Sequence, residues 1–153
     1  MTDSKTFVLE AMRRQGKAIA LSVQSASATM TGTELNAEAE YIPEFLKARE
    51  KQNMLTRKAG MTDGFVCRSS AGRVVRLIQN YDSSVYTDEP ERLPAQWGFV
   101  WSDDPAHAKP FIALATSPYQ KGNCCTEDGS TFRSLMDHNV YSPSAYPAGW
   151  EKL

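Results

Sequence analysis

Three cysteines, two histidines and a scatter of carboxylates are the side chains of this 153-residue chain that could catalyse a reaction or hold a metal. A zinc site asks for paired ligands at short spacing, such as Cys-x-x-Cys. Cys67 stands alone, Cys124 and Cys125 are adjacent, and His138 between Asp137 and Asn139 supplies a single imidazole. Neighbouring cysteines strain a bridge to each other, so buried thiols are expected, with a Cys67–Cys124 or Cys67–Cys125 disulfide as the alternative. A nucleophilic Cys–His pair needs both groups within hydrogen-bond reach in a cleft, whereas Cys124 and Cys125 fall in a short predicted strand. His107 has no such neighbour in sequence. Asp88-Glu89 and Asp103-Asp104 occupy turn-like segments, where solvation and capping account for them. Glycoside hydrolysis requires two carboxylates held across a deep site. No Gly-rich phosphate loop or Gly-x-Ser-x-Gly elbow occurs. The expectation is a non-enzyme with no catalytic residue, no metal and no cofactor.

The elements that must position these residues come in two kinds. From Asp3 or Ser4, apolar Val8, Met12, Ile19 and Val23 recur at helical spacing, with Gly16 as an interruption. Ser25 to Thr33 reads as a connection. A second helix is expected from Thr31 or Thr33, with Glu34 in its first turn and Leu35, Ala39 and Ile42 on one face until Pro43. From Gly64 the period becomes two. Phe65-Val66-Cys67, a turn at Ser69–Gly72 and Val74–Ile78 read as a hairpin. Asn123–Thr126, the turn Glu127-Asp128-Gly129 and Thr131–Leu135 read as another, with Asp-Gly a strong turn signal.

The two hairpins belong to a degenerate repeat. Gly64, Cys67, Gly72, Val85-Tyr86-Thr87, Pro94 and Trp97 are followed by Gly122, Cys124, Gly129, Val140-Tyr141-Ser142, Pro147 and Trp150. The offset between copies falls from 57 at the cysteines to 55 at the tyrosines and 53 at the tryptophans. A period of tens of residues defines architecture. The fold class expected is therefore α+β: a helical N-terminal segment over 1–57, then small antiparallel β-modules over 58–101 and 111–153, with Ser102 to Pro110 as linker. In modules this small, Trp97, Phe132 and Trp150 are expected to supply the core.

The net charge of −1 with both signs interspersed gives no basic face for a nucleic-acid backbone. The apolar runs are too short to cross a bilayer, and Met1-Thr2-Asp3-Ser4 lacks the basic start of a signal peptide. Synthesis in the cytoplasm is expected, without membrane insertion.

The second module runs Ser117-Pro118-Tyr119-Gln120-Lys121-Gly122-Asn123, then Asp128-Gly129-Ser130-Thr131-Phe132-Arg133-Ser134, Asn139-Val140-Tyr141-Ser142-Pro143 and Tyr146-Pro147-Ala148-Gly149-Trp150. It resembles the small chitin-binding-like modules of carbohydrate-binding families five and twelve. Its ending resembles the version at the C-termini of phage and prophage tail proteins. The resemblance is good over about 40 residues, partial over 58–101 and weak before that. It implies aromatic faces stacking on sugar rings, with polar groups for orientation. Tyr81, Tyr86, Trp101, Tyr119, Tyr141 and Tyr146 are the candidate faces, and Asp82, Asp137 and Asn139 the polar groups. The exposed aromatic pair that chitin binders carry after their strand is replaced here by Ser134-Leu135-Met136-Asp137-His138. The reading that follows is a tail or baseplate accessory protein assembled into a virion. Its helical segment would attach to other tail proteins or form a homotrimer, and its modules would contact a cell-surface glycan or a protein. A purely structural tail protein, and a cytoplasmic inhibitor acting through a protein interface, are the rival readings.

Overall fold

A computed structural model describes residues 4–59 and 65–153. Asp3, an expected cap, and Gly64, a repeat landmark, lie outside the described residues. The fold is α+β: helices α1 (Ser4–Ala26), α2 (Gly32–Ala37) and α3 (Phe45–Lys51) accompany two small sheets. The first sheet holds β1 (Val66–Arg68), β2 (Val74–Leu77) and β3 (Trp97–Phe99) in that order, all antiparallel. The second holds β4 (Lys109–Pro110), β5 (Cys124–Glu127), β6 (Ser130–Ser134) and β7 (Trp150–Lys152). There β4 runs parallel to β5, and the remaining pairs are antiparallel.

Only the C-terminal half of α1 packs against the body. Val23 is buried, with Ile19 beside it, against Leu35, Ile42 and Val74. The Gln24 amide clamps the edge strand β1: its Nε2 donates to Val66 O at 2.6 Å, and Val66 N donates back to its Oε1 at 3.2 Å. Phe7, Val8, Leu9 and Met12 remain exposed. Gly16 does not interrupt the helix, and a Cβ there would meet nothing within 4 Å. Gly16→Ala is therefore expected to stabilise the protein by about 0.5–1 kcal/mol, read as a higher midpoint in denaturant. An unchanged or lower midpoint would contradict a free helical position.

Helix α2 starts where the sequence places it. Thr31 Oγ1 accepts from Glu34 N at 3.1 Å, while Thr31 N donates to Glu34 Oε1 at 3.3 Å, a capping box. Gly32 allows backbone against backbone, since a Cβ there would stand 2.1 Å from Trp101 O. Asn36 Nδ2 adds a bond to Val100 O at 3.1 Å.

Strand β2 is buried on both faces. Alternate side chains divide between two clusters: Val74 joins Leu35 and Ile42 under the helices, while Val75 and Leu77 join the aromatic core. The hairpin of the second sheet has Asp128 (φ 50) and Gly129 (φ 78) as its two-residue loop. Both residues carry the positive φ that this hairpin turn requires.

The register revises the alignment of the repeat. Cys67 pairs with Val75, and Leu77 with Trp97; Cys125 pairs with Phe132, and Ser134 with Trp150. Cys67 therefore corresponds to Cys125, not to Cys124, because the first hairpin loop is longer. The repeat also begins earlier than expected. Glu44 bridges Arg68 in parallel, as Pro110 pairs with Thr126. Phe45 then meets Trp97 edge-on (5.6 Å, 84°), as Phe111 meets Trp150 (6.1 Å, 89°). Helix α3 thus belongs to the first module, which starts near Pro43 where the sequence reading starts it at 58.

One core serves both modules. The rings of Phe99, Trp101, Tyr119 and Phe111 stack in a row, with Trp101 and Tyr119 4.3 Å apart at 14°. Ser117 ties the row down, accepting Trp101 Nε1 at its carbonyl and Phe99 N at its hydroxyl, both at 2.9 Å. Arg73 Nη2 crosses to Pro110 O at 2.7 Å and pairs with Glu91. The segment expected as a linker is packed as well. Asp104 caps a 3-10 turn at Pro105–His107, and Cys124 N donates to Ser102 O at 2.8 Å.

Candidate functional site

The aromatic and polar candidates separate by burial. Tyr81, Trp101 and Tyr119 are interior, as are Trp97 and Trp150. Tyr81 accepts Trp97 Nε1 at its hydroxyl at 3.0 Å, and Tyr119 accepts Ile112 N at 3.3 Å. An aromatic ring whose polar end is satisfied inside can stay there. Tyr81, Trp101 and Tyr119 are therefore packed in the core and not displayed as stacking faces, and as contact residues they are corrected to core. Asn139 is corrected likewise. It is fully buried, donating to Ser134 Oγ (3.1 Å) and Gly149 O (3.2 Å) and accepting Tyr141 N (3.2 Å). Phe132 is partly buried against the core.

Tyr86, Tyr141 and Tyr146 remain at the surface, 59%, 54% and 43% exposed. They sit on two copies of one turn. In the first, Tyr86 N donates to Asp82 O at 3.0 Å, and Asp82 Oδ1 accepts Ser84 N at 3.0 Å. In the second, Tyr146 N donates to Ser142 O at 2.9 Å, and Ser142 Oγ accepts Ala145 N at 3.1 Å. Tyr81-Asp82-Ser83-Ser84-Val85-Tyr86 thus corresponds to Tyr141-Ser142-Pro143-Ser144-Ala145-Tyr146. The sequence alignment of Val85-Tyr86 with Val140-Tyr141 misses this, because Thr87–Leu93 is an insertion in the first copy.

The copies present different surfaces. In the second, both tyrosines face out and their rings meet at 5.7 Å and 61°. Ser144 N is anchored on Glu127 Oε1 at 2.9 Å, and Trp150 Nε1 holds Tyr141 O at 2.8 Å. Gly149 makes room for the pair, since a Cβ there would lie 2.8 Å from Tyr146 Cδ1. Asp137 is exposed, its Oδ1 accepting Lys121 N at 3.0 Å. In the first copy Tyr81 has turned inward, and Asn53 from the helical side clamps the turn through Asp82 Oδ1 at 2.8 Å. Hydrogen bonds from Ser84 and then Asn53 hold the Asp82 carboxyl below the usual carboxylate range. Arg49, Asn53, Ser83, Ser84 and Thr87 line a shallow polar depression beside it. Gly149, Glu127 and Ser142 fall in the repeat and turn motifs of the sequence, but their role in shaping this site is visible only in the structure. The recurring Tyr-x-x-x-x-Tyr spacing was the available signal.

Cys67, Cys124 and Cys125 are buried and free. Burial raises the thiols of Cys67 and Cys125, the latter to about 12, so neither is a thiolate at neutral pH. His138 is exposed at φ 53, and His107 lies 3.9 Å from Asp104. Among the described residues no cluster of three metal-ligating side chains occurs, and no helix is long and apolar enough to cross a membrane. Comparison with protein families, curated proteins and solved structures finds no match to this chain.

Proposed function

We propose that this protein is a non-enzymatic attachment protein of a phage or prophage virion, a tail or baseplate accessory whose β-modules contact a cell-surface glycan. One observation carries the reading: the exposed Tyr141–Tyr146 pair on a turn that recurs, with Tyr86, in the first module. Angled aromatic faces on a turn that also carries Ser142 and Ser144 suit the C–H-rich and hydroxyl faces of a pyranose. The likeness of the second module to chitin-binding-like modules supports a sugar ligand. Weak single-site affinity would be raised by many copies on a particle. The uncovered Val8, Leu9 and Met12 of α1 suit attachment to other tail proteins or trimerisation, since such a stripe is stable when covered.

The test is co-sedimentation with insoluble chitin and with bacterial cell-wall fragments. The wild type is expected in the pellet, and Tyr141→Ala/Tyr146→Ala in the supernatant with unchanged circular dichroism. Equal recovery of both proteins on either material would remove the tyrosine pair from the account. The structural tail protein is the second reading. It is favoured by the burial of Tyr81, Trp101 and Tyr119, which leaves few sugar-stacking rings at the surface.

A further inference from the structure

Away from the tyrosine turns, a groove of about 680 Å³ runs between α1 and the segment from Tyr41 through α3. Its bed is apolar: Ile42, Pro43, Ala48 and Phe65 line it, with Ala20 and Leu21 on the α1 side. Gly16 and Ala20 stand one turn apart on α1 and Ala48 is on α3, so both helices are cut low where a third could lie. The rim is basic. Lys17, Lys47, Lys51, Arg57 and Arg68 line the groove against Glu40 and Glu44, on a chain whose net charge is −1. Lys47 is engaged by Glu44 at 3.5 Å. Among the described residues, Lys17, Lys51, Arg57 and Arg68 have no carboxylate partner. The Arg57 Cζ sits over the Phe65 ring, 4.3 Å from its centroid, and its Nε has no acceptor among the described residues.

We infer that this groove docks an acidic amphipathic helix of another protein. Charge complementarity selects the occupant: the apolar bed takes residues at i, i+3, i+4 and i+7, and Lys17, Lys51, Arg57 and Arg68, the last also held by Ile42 O at 2.9 Å, meet carboxylates on the flanks. A second copy is a poor fit, because its uncovered α1 brings Lys5, Arg13 and Arg14 against only Glu10. A nucleic acid would use the cations and leave the apolar bed without a partner. The inference is independent of the glycan reading, since it needs neither tyrosine turn and its test contains no sugar.

The probe is a fluorescein-labelled peptide of about 14 residues with leucines at helical spacing and glutamates elsewhere. Anisotropy is expected to give a Kd in the micromolar range, roughly 8 kcal/mol. Replacing its glutamates by glutamines should weaken it at least about tenfold. Lys17→Glu/Lys51→Glu, both at exposed positions, should do the same. Ala20→Trp, which fills the groove from the α1 side, should abolish binding while circular dichroism and thermal midpoint stay those of the wild type. Should Ala20→Trp unfold the protein, Leu21→Glu on the exposed lip takes its place with the same expectation. Polyglutamate or duplex DNA binding as tightly as the peptide would reduce the groove to a charged patch and overturn the inference. Binding unaffected by the groove variants would also overturn it, as would a concentration-dependent dimer in sedimentation that Ala20→Trp makes monomeric.

Discussion

Trp97→Ala is expected to cost about 3–5 kcal/mol, enough to unfold a domain of ordinary stability at 37 °C or bring it close to unfolding. Trp97 is fully buried in the first module. Its ring meets Phe45 and Tyr81 edge-on, and its Nε1 donates to the Tyr81 hydroxyl. Truncation leaves a cavity and strands a buried hydroxyl without its donor, and the two losses reinforce each other. Trp97→Phe keeps most of the ring volume and loses the donor, so it should cost less. Equilibrium unfolding in urea measures both. A Trp97→Ala protein within about 1 kcal/mol of the wild type would show that the ring does not close the module.

Tyr119→Ala is the second large effect, and it tests whether the modules are independent. Tyr119 stacks on Trp101 and Phe111 and meets Trp150 of the second sheet edge-on, while Trp101 stacks in turn on Phe99 of the first sheet, so the row passes through Tyr119 from one sheet to the other. The expected cost is again about 3–5 kcal/mol, with both modules lost in a single transition. Tyr119→Phe keeps the stack and leaves Ile112 N without its acceptor, an expected cost of about 1–2 kcal/mol. Unfolding followed separately at Cys67 and Cys125 by thiol labelling would report one midpoint for each variant. Two midpoints would mean that the aromatic row does not couple the sheets.

Local signals in the sequence were good guides. Thr31 with Glu34 marked the start of α2, Asp128-Gly129 marked the hairpin, and the paired tryptophans marked two related β-modules. These depend on near neighbours in the chain, where spacing carries the physics. The parallel pairing of Glu44 with Arg68 does not, so the place of Phe45 in the first module stayed hidden. Adjacent Cys124 and Cys125 are equivalent by type, and only the register identifies Cys125 as the partner of Cys67 in the repeat. Tyrosine was the hardest residue to place. Its ring is at home in the core once the hydroxyl is satisfied, as in Tyr81 and Tyr119, and equally at home on a turn, as in Tyr86 and Tyr146.

The tyrosine turn also explains why so small a fold can present a fixed aromatic surface. Asn139 is buried and bonded on both sides of the turn, Glu127 holds Ser144, and Trp150 holds Tyr141 from within. The core that stabilises the second module is the same core that orients the pair. The proposed glycan contact can be tested apart from stability, because the Tyr141 and Tyr146 side chains lie largely outside that core.

Backbone amide NMR shifts, followed during titration with chitin oligomers to millimolar sugar, decide whether the exposed tyrosine turns contact a glycan. Such contact predicts shifts concentrated at Tyr141, Ser142, Ser144 and Tyr146, a smaller set around Tyr86, and none for Trp101 or Tyr119. An unperturbed spectrum at millimolar sugar, with no retention on cell-wall material, would contradict glycan contact and leave the structural role.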